Sequence, residues 1–263
     1  MTLCVDWSHR ALALTLLVAA ALPAGCGGED PPPKEVPTPA QVRDFFALNN
    51  DSCWRYKFIK SGATLFARVD VAGPNDTSIA GETVYVRKFR LESGGLPAEW
   101  FLDTEADAEV RLLRSTSGTD QASRETRRYD TAPAPLFGTL AYDRAGAVEL
   151  EEGARFTTES TPMLCTGEDQ TCAAGNLERH EWTVLGTEPV TTPDGDKDAV
   201  KLQYRITADT GGGTANYFLV PGLGIAKFTD FDGTFYQVCD WRVCDATGAC
   251  VGAESCAALT CAP

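Results

Sequence analysis

The chain has one long apolar run and no second. Ala11–Ala21 is Ala, Leu and Val broken only by Thr15, and it is shorter than the about 20 apolar residues that a membrane-spanning helix needs. Positive charge is scarce: 23 Lys and Arg stand against 37 Asp and Glu, a formal net charge of −14 at pH 7. Such a surface repels nucleic acid and anionic lipid, which excludes a nucleic-acid partner. Histidine is scarcer still, with only His9 and His180. His9 lies beside the apolar run, so a His-based zinc site or a Ser–His–acid triad would have to be built on His180. No Gly-x-Ser-x-Gly elbow accompanies it, and no two cysteines have the Cys-x2-Cys spacing of a zinc ribbon.

What is present at the N-terminus reads as an address. Arg10 and His9 precede the apolar run, whose length suits a signal peptide, and Leu22-Pro23-Ala24-Gly25-Cys26 follows. A Cys directly after Ala-Gly resembles the bacterial lipoprotein box, in which the leader is cut before the Cys and its sulfur receives a diacylglycerol. Pro23 stands where Leu is usual, and Leu22 is displaced by one. The resemblance implies a signal peptide over 1–25 and lipidation of Cys26; the alternative is an ordinary signal that leaves a free Cys. Acyl chains at one residue would anchor the chain stably, since each buried CH₂ contributes ~0.8 kcal/mol. Residues 27–40 (GGEDPPPKEVPTPA) are Pro-rich and acidic, and complete a linker over 26–40.

With Cys4 in the leader and Cys26 assigned to lipid, eight cysteines remain: Cys53, Cys165, Cys172, Cys239, Cys244, Cys250, Cys256 and Cys261. An even number in an exported chain reads as disulfides. Eight cysteines allow on the order of 100 pairings, and spacing does not choose among them. Cys165 and Cys172 are near enough to staple one loop, and a tail cysteine or Cys239 could reach Cys53.

From residue 41 onward the pattern is β. Residues 41–48 (QVRDFFAL) form a short amphipathic piece before the turn Asn49-Asn50-Asp51. Cys53–Phe58 alternates large and charged residues, as a half-buried strand does. Strands are expected at Thr64–Val71, Gly81–Leu91, Glu99–Leu102, Glu109–Leu113, Leu177–Leu185, Ala199–Ile206, Asn216–Val220, Ile225–Phe231 and Thr234–Val243. Gly73–Asp76, Thr192–Asp196, Gly211–Gly213 and Pro221–Gly224 read as turns, Ser123–Tyr129 as an edge-like charged segment, Ala132–Gly138 as a non-regular crossing, and 160–176 as a polar loop. About eleven or twelve short strands argue for an all-β, mainly antiparallel domain over 41–243, either a strongly curved sheet (half-barrel) or a sandwich. A disulfide-rich tail over 244–263 has no strand pattern.

Three segments in order resemble a loose group of bacterial lipoproteins of unassigned function, common in predatory and soil bacteria. They are Phe45-Phe46-Ala47-Leu48 with Trp54-Arg55-Tyr56, then Thr192-Pro193-Asp194-Gly195 leading to Ala199-Val200-Lys201-Leu202, then Tyr217-Phe218-Leu219-Val220-Pro221-Gly222-Leu223-Gly224. The resemblance spans roughly residues 44–230. It implies a half-barrel similar to periplasmic carriers of lipids and lipoproteins, and supplies no catalytic residues. Asn49–Cys53, where a Gly-led turn is usual, and the Cys-rich tail depart from the group.

His180, between Arg179 and Glu181, is expected to be an exposed strand residue. Asp194, Asp196 and Asp198 alternate in a loop as Ca²⁺ ligands do, but Ala199 and Arg205 stand where an EF-hand needs Gly and Glu. Glu151, Glu152 and Glu159, or Glu99 and Asp103, could pair as glycosidase carboxylates, a weak signal among 37 acids. Trp54, Tyr56, Phe58, Tyr85, Trp100, Trp182, Tyr204, Tyr217 and Phe218 fall mostly at alternate strand positions, as core or as the lining of a concave apolar face. The expectation is therefore a lipid-anchored protein of the bacterial envelope, at the outer membrane, acting as a non-enzymatic binding or structural module. No cofactor, metal or catalytic residue is expected. One alternative is a carrier of a hydrophobic or lipid-like ligand, which requires a sizeable apolar cavity. The other is a hydrolase.

Overall fold

The computed structural model describes residues 47–79, 81–105, 109–129, 134–136, 152–166, 171–209, 211–245 and 247–261. The leader, Cys26, the linker, Glu151 and all of the amphipathic piece before Ala47 lie outside them. The described residues form one antiparallel sheet. Its strands are β1 (Cys53–Lys60), β2 (Ala63–Ile79), β3 (Glu82–Leu91), β4 (Ala98–Glu105), β5 (Glu109–Ser117), β6 (Glu125–Arg128), β7 (Ala134–Leu136) and β8 (Arg155–Ser160). They continue with β9 (Met163–Thr166), β10 (Thr171–Ala174), β11 (Glu178–Thr192), β12 (Gly195–Ala208), β13 (Gly211–Val220), β14 (Gly224–Thr229), β15 (Phe235–Cys244) and β16 (Cys250–Gly252). The ladder order is β10-β9-β6-β5-β4-β3-β2-β1-β15-β14-β13-β12-β11-β8, with β16 on β15 and β7 on β5. The expected all-β curved sheet is present, as a single open sheet rather than a sandwich.

Period-2 alternation produces the inner face. In β1, Trp54, Tyr56 and Phe58 are buried while Lys57 is exposed. The same face carries Val69 of β2, Leu102 of β4, Trp182 of β11, Tyr204 of β12, Tyr217 of β13 and Tyr236 of β15, which merge into one core. A smaller cluster of Ile79, Val84, Val86 and Leu113 with Phe101 lies apart from this core. Bulges bend the sheet. Register slips occur at Ala72/Thr77 in β2, Phe101/Leu102 opposite β5, Val184/Thr187 in β11 and Phe218/Leu219 in β13. Gly73 serves the first of these, since a Cβ there would sit 2.6 Å from the Val84 carbonyl oxygen and its φ is +118°.

Curvature brings the two ends of the sheet together without a ladder. β8 and β9 are separated only by residues 161–162, yet β8 pairs with β11 at one end and β9 with β6 near the other. The ends are bridged by side chains of β6 and β11, Arg127 donating to Glu178 at 2.7 Å. The result is a nearly closed half-barrel whose hollow is lined from both ends of the sheet.

Several expectations need correction. Gly73–Asp76 lies inside the long bulged strand β2 and does not end it. The 160–176 segment is the β9–β10 hairpin, with Cys165 and Cys172 directly opposite and disulfide-bonded. Ala134–Leu136 is a strand, β6 is interior to the sheet rather than an edge, and the described residues form sixteen strands where eleven or twelve were expected. Gly211–Gly213 starts β13 rather than turning the chain. These segments are polar or short, so pairing partners far in sequence decided their state, not local alternation.

All eight predicted cysteines form disulfides: Cys53–Cys256, Cys165–Cys172, Cys239–Cys261 and Cys244–Cys250. The tail is pinned at three points to β1 and β15, and contributes the short strand β16. Ser52 adds a further tie, its hydroxyl accepting from the Cys244 N–H at 3.0 Å.

Candidate functional site

The hollow of the half-barrel holds two adjoining clefts. The larger, about 460 Å³, lies between β4–β6 on one side and β11–β13 on the other, with Trp100, Tyr129, Tyr204 and Ile206 among its walls. The smaller, about 250 Å³, is walled by Arg87, Phe89, Trp100, Tyr217, Phe228 and Phe231. Trp100, Ser115, Ser117 and Phe231 line both, so the two are continuous. Interiors are close-packed with few voids larger than a water molecule, and ligand pockets span about 300–1,000 Å³. The larger cleft is of ligand size.

The rings that wall it, Trp100, Tyr129, Tyr204 and Phe231, are backed by stacked rings of the core. Trp182 stacks on Tyr204 at 4.2 Å between centroids and Phe228, of the smaller cleft, on Tyr236 at 4.5 Å, while Phe228 meets the edge of Tyr56 at 5.3 Å. Polar tips are satisfied by backbone: Trp54 Nε1 donates to the Leu223 carbonyl at 2.7 Å and the Tyr56 hydroxyl to the Ile225 carbonyl at 2.6 Å. Burial pushes the Tyr56 phenol up to about 12 and raises Tyr204 and Tyr217 as well, so all three remain neutral donors. Phe231 is 45% exposed at the cleft mouth and lies directly over Gly213, which has no side chain to hold it away.

A polar network closes the larger cleft where the sheet ends meet. The buried Glu178 carboxylate accepts from Arg127 Nη1 at 2.7 Å and from the Tyr129 hydroxyl at 2.8 Å. His180 is 0% exposed, contrary to the expectation of an exposed strand residue, because the even positions of β11 face inward along with Glu178, Trp182 and Val184. Its Nδ1 is 2.6 Å from the Tyr204 hydroxyl and its Nε2 is 3.5 Å from Glu178 Oε2. In a neutral ring with its proton on Nε2, Tyr204 donates to Nδ1, while Nε2 lies near the carboxylate without a hydrogen bond. Burial first, and the Arg127 guanidinium second, pull the His180 pKa from 6.5 to about 4.

The remaining candidates are not brought together. Glu99 is held by Arg124 at 2.9 Å and by Lys88 at 3.4 Å, and Asp103 is paired with Arg111, so neither is a free catalytic carboxylate. Asp194 is held below the usual carboxylate range by the Thr192 hydroxyl and Lys197, and Asp196 accepts from Thr191 at 2.8 Å. Among the described residues, the one potential metal-ligand group is Cys53, Asp70 and Cys256, whose sulfurs are joined to each other. Phe218, expected among the lining aromatics, carries Lys227 over its ring at 4.1 Å and lines neither cleft. Sequence reading missed Arg87, Glu178 and Phe231. The strand around Arg87, Val84-Tyr85-Val86-Arg87, is apolar on both faces, so alternation did not reveal that Arg87 points inward.

No protein-family model matches the sequence, and no curated protein does. Among solved structures, the chain is similar to the hypothetical lipoprotein YmcC from Escherichia coli K12, at 11% identity and a TM-score of 0.37, over 75% of this chain and 88% of that one. It is also similar to a candidate lipoprotein from Parabacteroides distasonis, at 13% identity and 0.39, over 74% of this chain and 96% of that one. A candidate exported protein with a YmcC-like fold from Bacteroides fragilis matches at 14% and 0.34, over 74% of this chain and 96% of that one. These identities and TM-scores are too low to assign the chain to a family.

Proposed function

We propose that this is a lipid-anchored protein of the bacterial envelope, held at the outer membrane through Cys26, whose half-barrel binds a hydrophobic ligand on its concave face. The observation that carries the reading is the cleft of about 460 Å³ walled by Trp100, Tyr129, Tyr204 and Phe231. A concave, mostly apolar cleft of this size with a few polar groups is the usual form of a small-molecule site. The signal peptide and the lipoprotein box supply the location; the acidic, Pro-rich linker supplies reach from a membrane.

The role is a binding role and not a catalytic one. His180 is fully buried, and both ring nitrogens face groups of the protein itself, Tyr204 and Glu178, which suits a structural link across the half-barrel. Native mass spectrometry of gently purified protein tests the reading: an adduct of lipid mass, lost when the cleft is filled by Ala208→Trp, is expected. A protein that carries no adduct and takes up no added amphiphile would overturn it. Esterase or glycosidase activity abolished in His180→Ala would replace it with a hydrolase.

A further inference from the structure

Arg87 is an inward residue of β3, between Tyr85 and Phe89, and is 9% exposed. Burying a guanidinium is costly unless an anion accompanies it. Five partly buried arginines show such pairing. Arg55, Arg68, Arg111, Arg124 and Arg127 each pair with a carboxylate: Glu92, Asp70, Asp103, Glu99 and Glu178 in turn. Arg87 has no such partner among the described residues. Its neighbours are the Trp100 ring, with the guanidinium carbon 5.5 Å from the centroid, and the phenols of Tyr56 and Tyr217. Asp230 lines the same cleft, but its Oδ1 accepts the Phe231 N–H at 2.7 Å in the turn after β14. Ser115 and Ser117 line the same cleft.

We propose that the Arg87 end of the cleft is a subsite for the anionic headgroup, carboxylate or phosphate, of an amphiphile whose apolar body lies against Trp100, Tyr217, Phe228 and Phe231. This rests on the ligand-binding reading above and names its ligand class. The guanidinium supplies a fork of donors that matches either oxyanion, the two serines supply further donors, and the ring-lined walls keep the local dielectric low enough for the pair to be strong. The net charge of −14 makes the assignment sharper. Without a local cation, the field of the whole chain would favour a neutral probe over an anionic one.

The test is calorimetric titration of the purified protein with dodecanoate, dodecyl phosphate and dodecanol below their aggregation thresholds. At least one anionic probe is expected to bind about 10- to 100-fold tighter than dodecanol, the span of one charge-assisted contact, and the tighter of the two identifies the headgroup. Arg87→Met is expected to lose that preference and keep dodecanol binding; Arg87→Lys keeps part of it. Replacing a buried charge that has no counter-ion by an apolar side chain should leave the melting temperature unchanged or raise it. Equal binding of dodecanol and both anions by the wild type, a preference that survives in Arg87→Met, or a drop in its melting temperature would overturn the subsite while leaving the cleft a binding site. Failure of all three probes would overturn the ligand-binding reading itself.

Discussion

His180 makes stability depend on pH in a window that the structure defines. In the folded protein the ring is neutral, with a pKa near 4, enclosed by Tyr204 of β12, Tyr129 and Arg127 from the β6 side, and Glu178 on its own strand. In the unfolded chain it returns to about 6.5. The unfolded state therefore binds more protons between these values. The contribution is complete above pH 6.5, is lost as pH falls toward 4, and is constant below that. A displacement from 6.5 to about 4 corresponds to about 3 kcal/mol. Carboxylates titrate over part of the same range, so the measurement is a difference: urea unfolding of the wild type minus that of His180→Gln, from pH 3.5 to 8. The difference should fall by about 3 kcal/mol between pH 6.5 and 4, equivalent to about 6–12 °C in melting temperature for a domain of this size. A difference that stays flat would refute the burial argument. One that rises on acidification would show that the Glu178 carboxylate, 3.5 Å away, holds the proton despite Arg127.

Further outcomes follow from other contacts. Cys53–Cys256 closes a loop with a sequence separation of 203, for which chain entropy gives about 5 kcal/mol; Cys53→Ala/Cys256→Ala should lower the urea midpoint accordingly, and an unchanged midpoint would mean that the other three disulfides already constrain the chain. Glu178→Ala removes the acceptor shared by Arg127 and Tyr129, so it should cost about 3 kcal/mol and loosen the meeting of the sheet ends, seen as faster hydrogen exchange in β6 and β11. Gly213→Ala would put a methyl 2.5 Å from the half-exposed Phe231 ring; the ring should swing outward at a stability cost below about 1 kcal/mol while amphiphile affinity changes, and unaltered affinity would remove Phe231 from the binding wall. Labelling with palmitate should mark the wild type and not Cys26→Ser; label in both or neither removes the anchor.

Some of this was legible in the chain because its cause is local. Alternation in Trp54-Arg55-Tyr56-Lys57-Phe58 determines a half-buried strand wherever it pairs, since successive side chains leave a pleated backbone on opposite faces. The pairing of the eight cysteines as disulfides follows from residue type and even number. Other features needed the tertiary fold. Which cysteines meet was open until β1 lay beside β15. The inward position of Arg87 depends on the register of β3 between β2 and β4, and its lack of a carboxylate partner among the described residues on the strands that curve round it. His180 looked like an exposed residue between two charges because its neighbours in sequence point away from it. The residues that bury it, Tyr129 and Tyr204, arrive from β6 and β12 only when bulges have bent the sheet until its ends meet. Local sequence decided the faces of the strands, and long-range curvature decided which faces enclose a cleft.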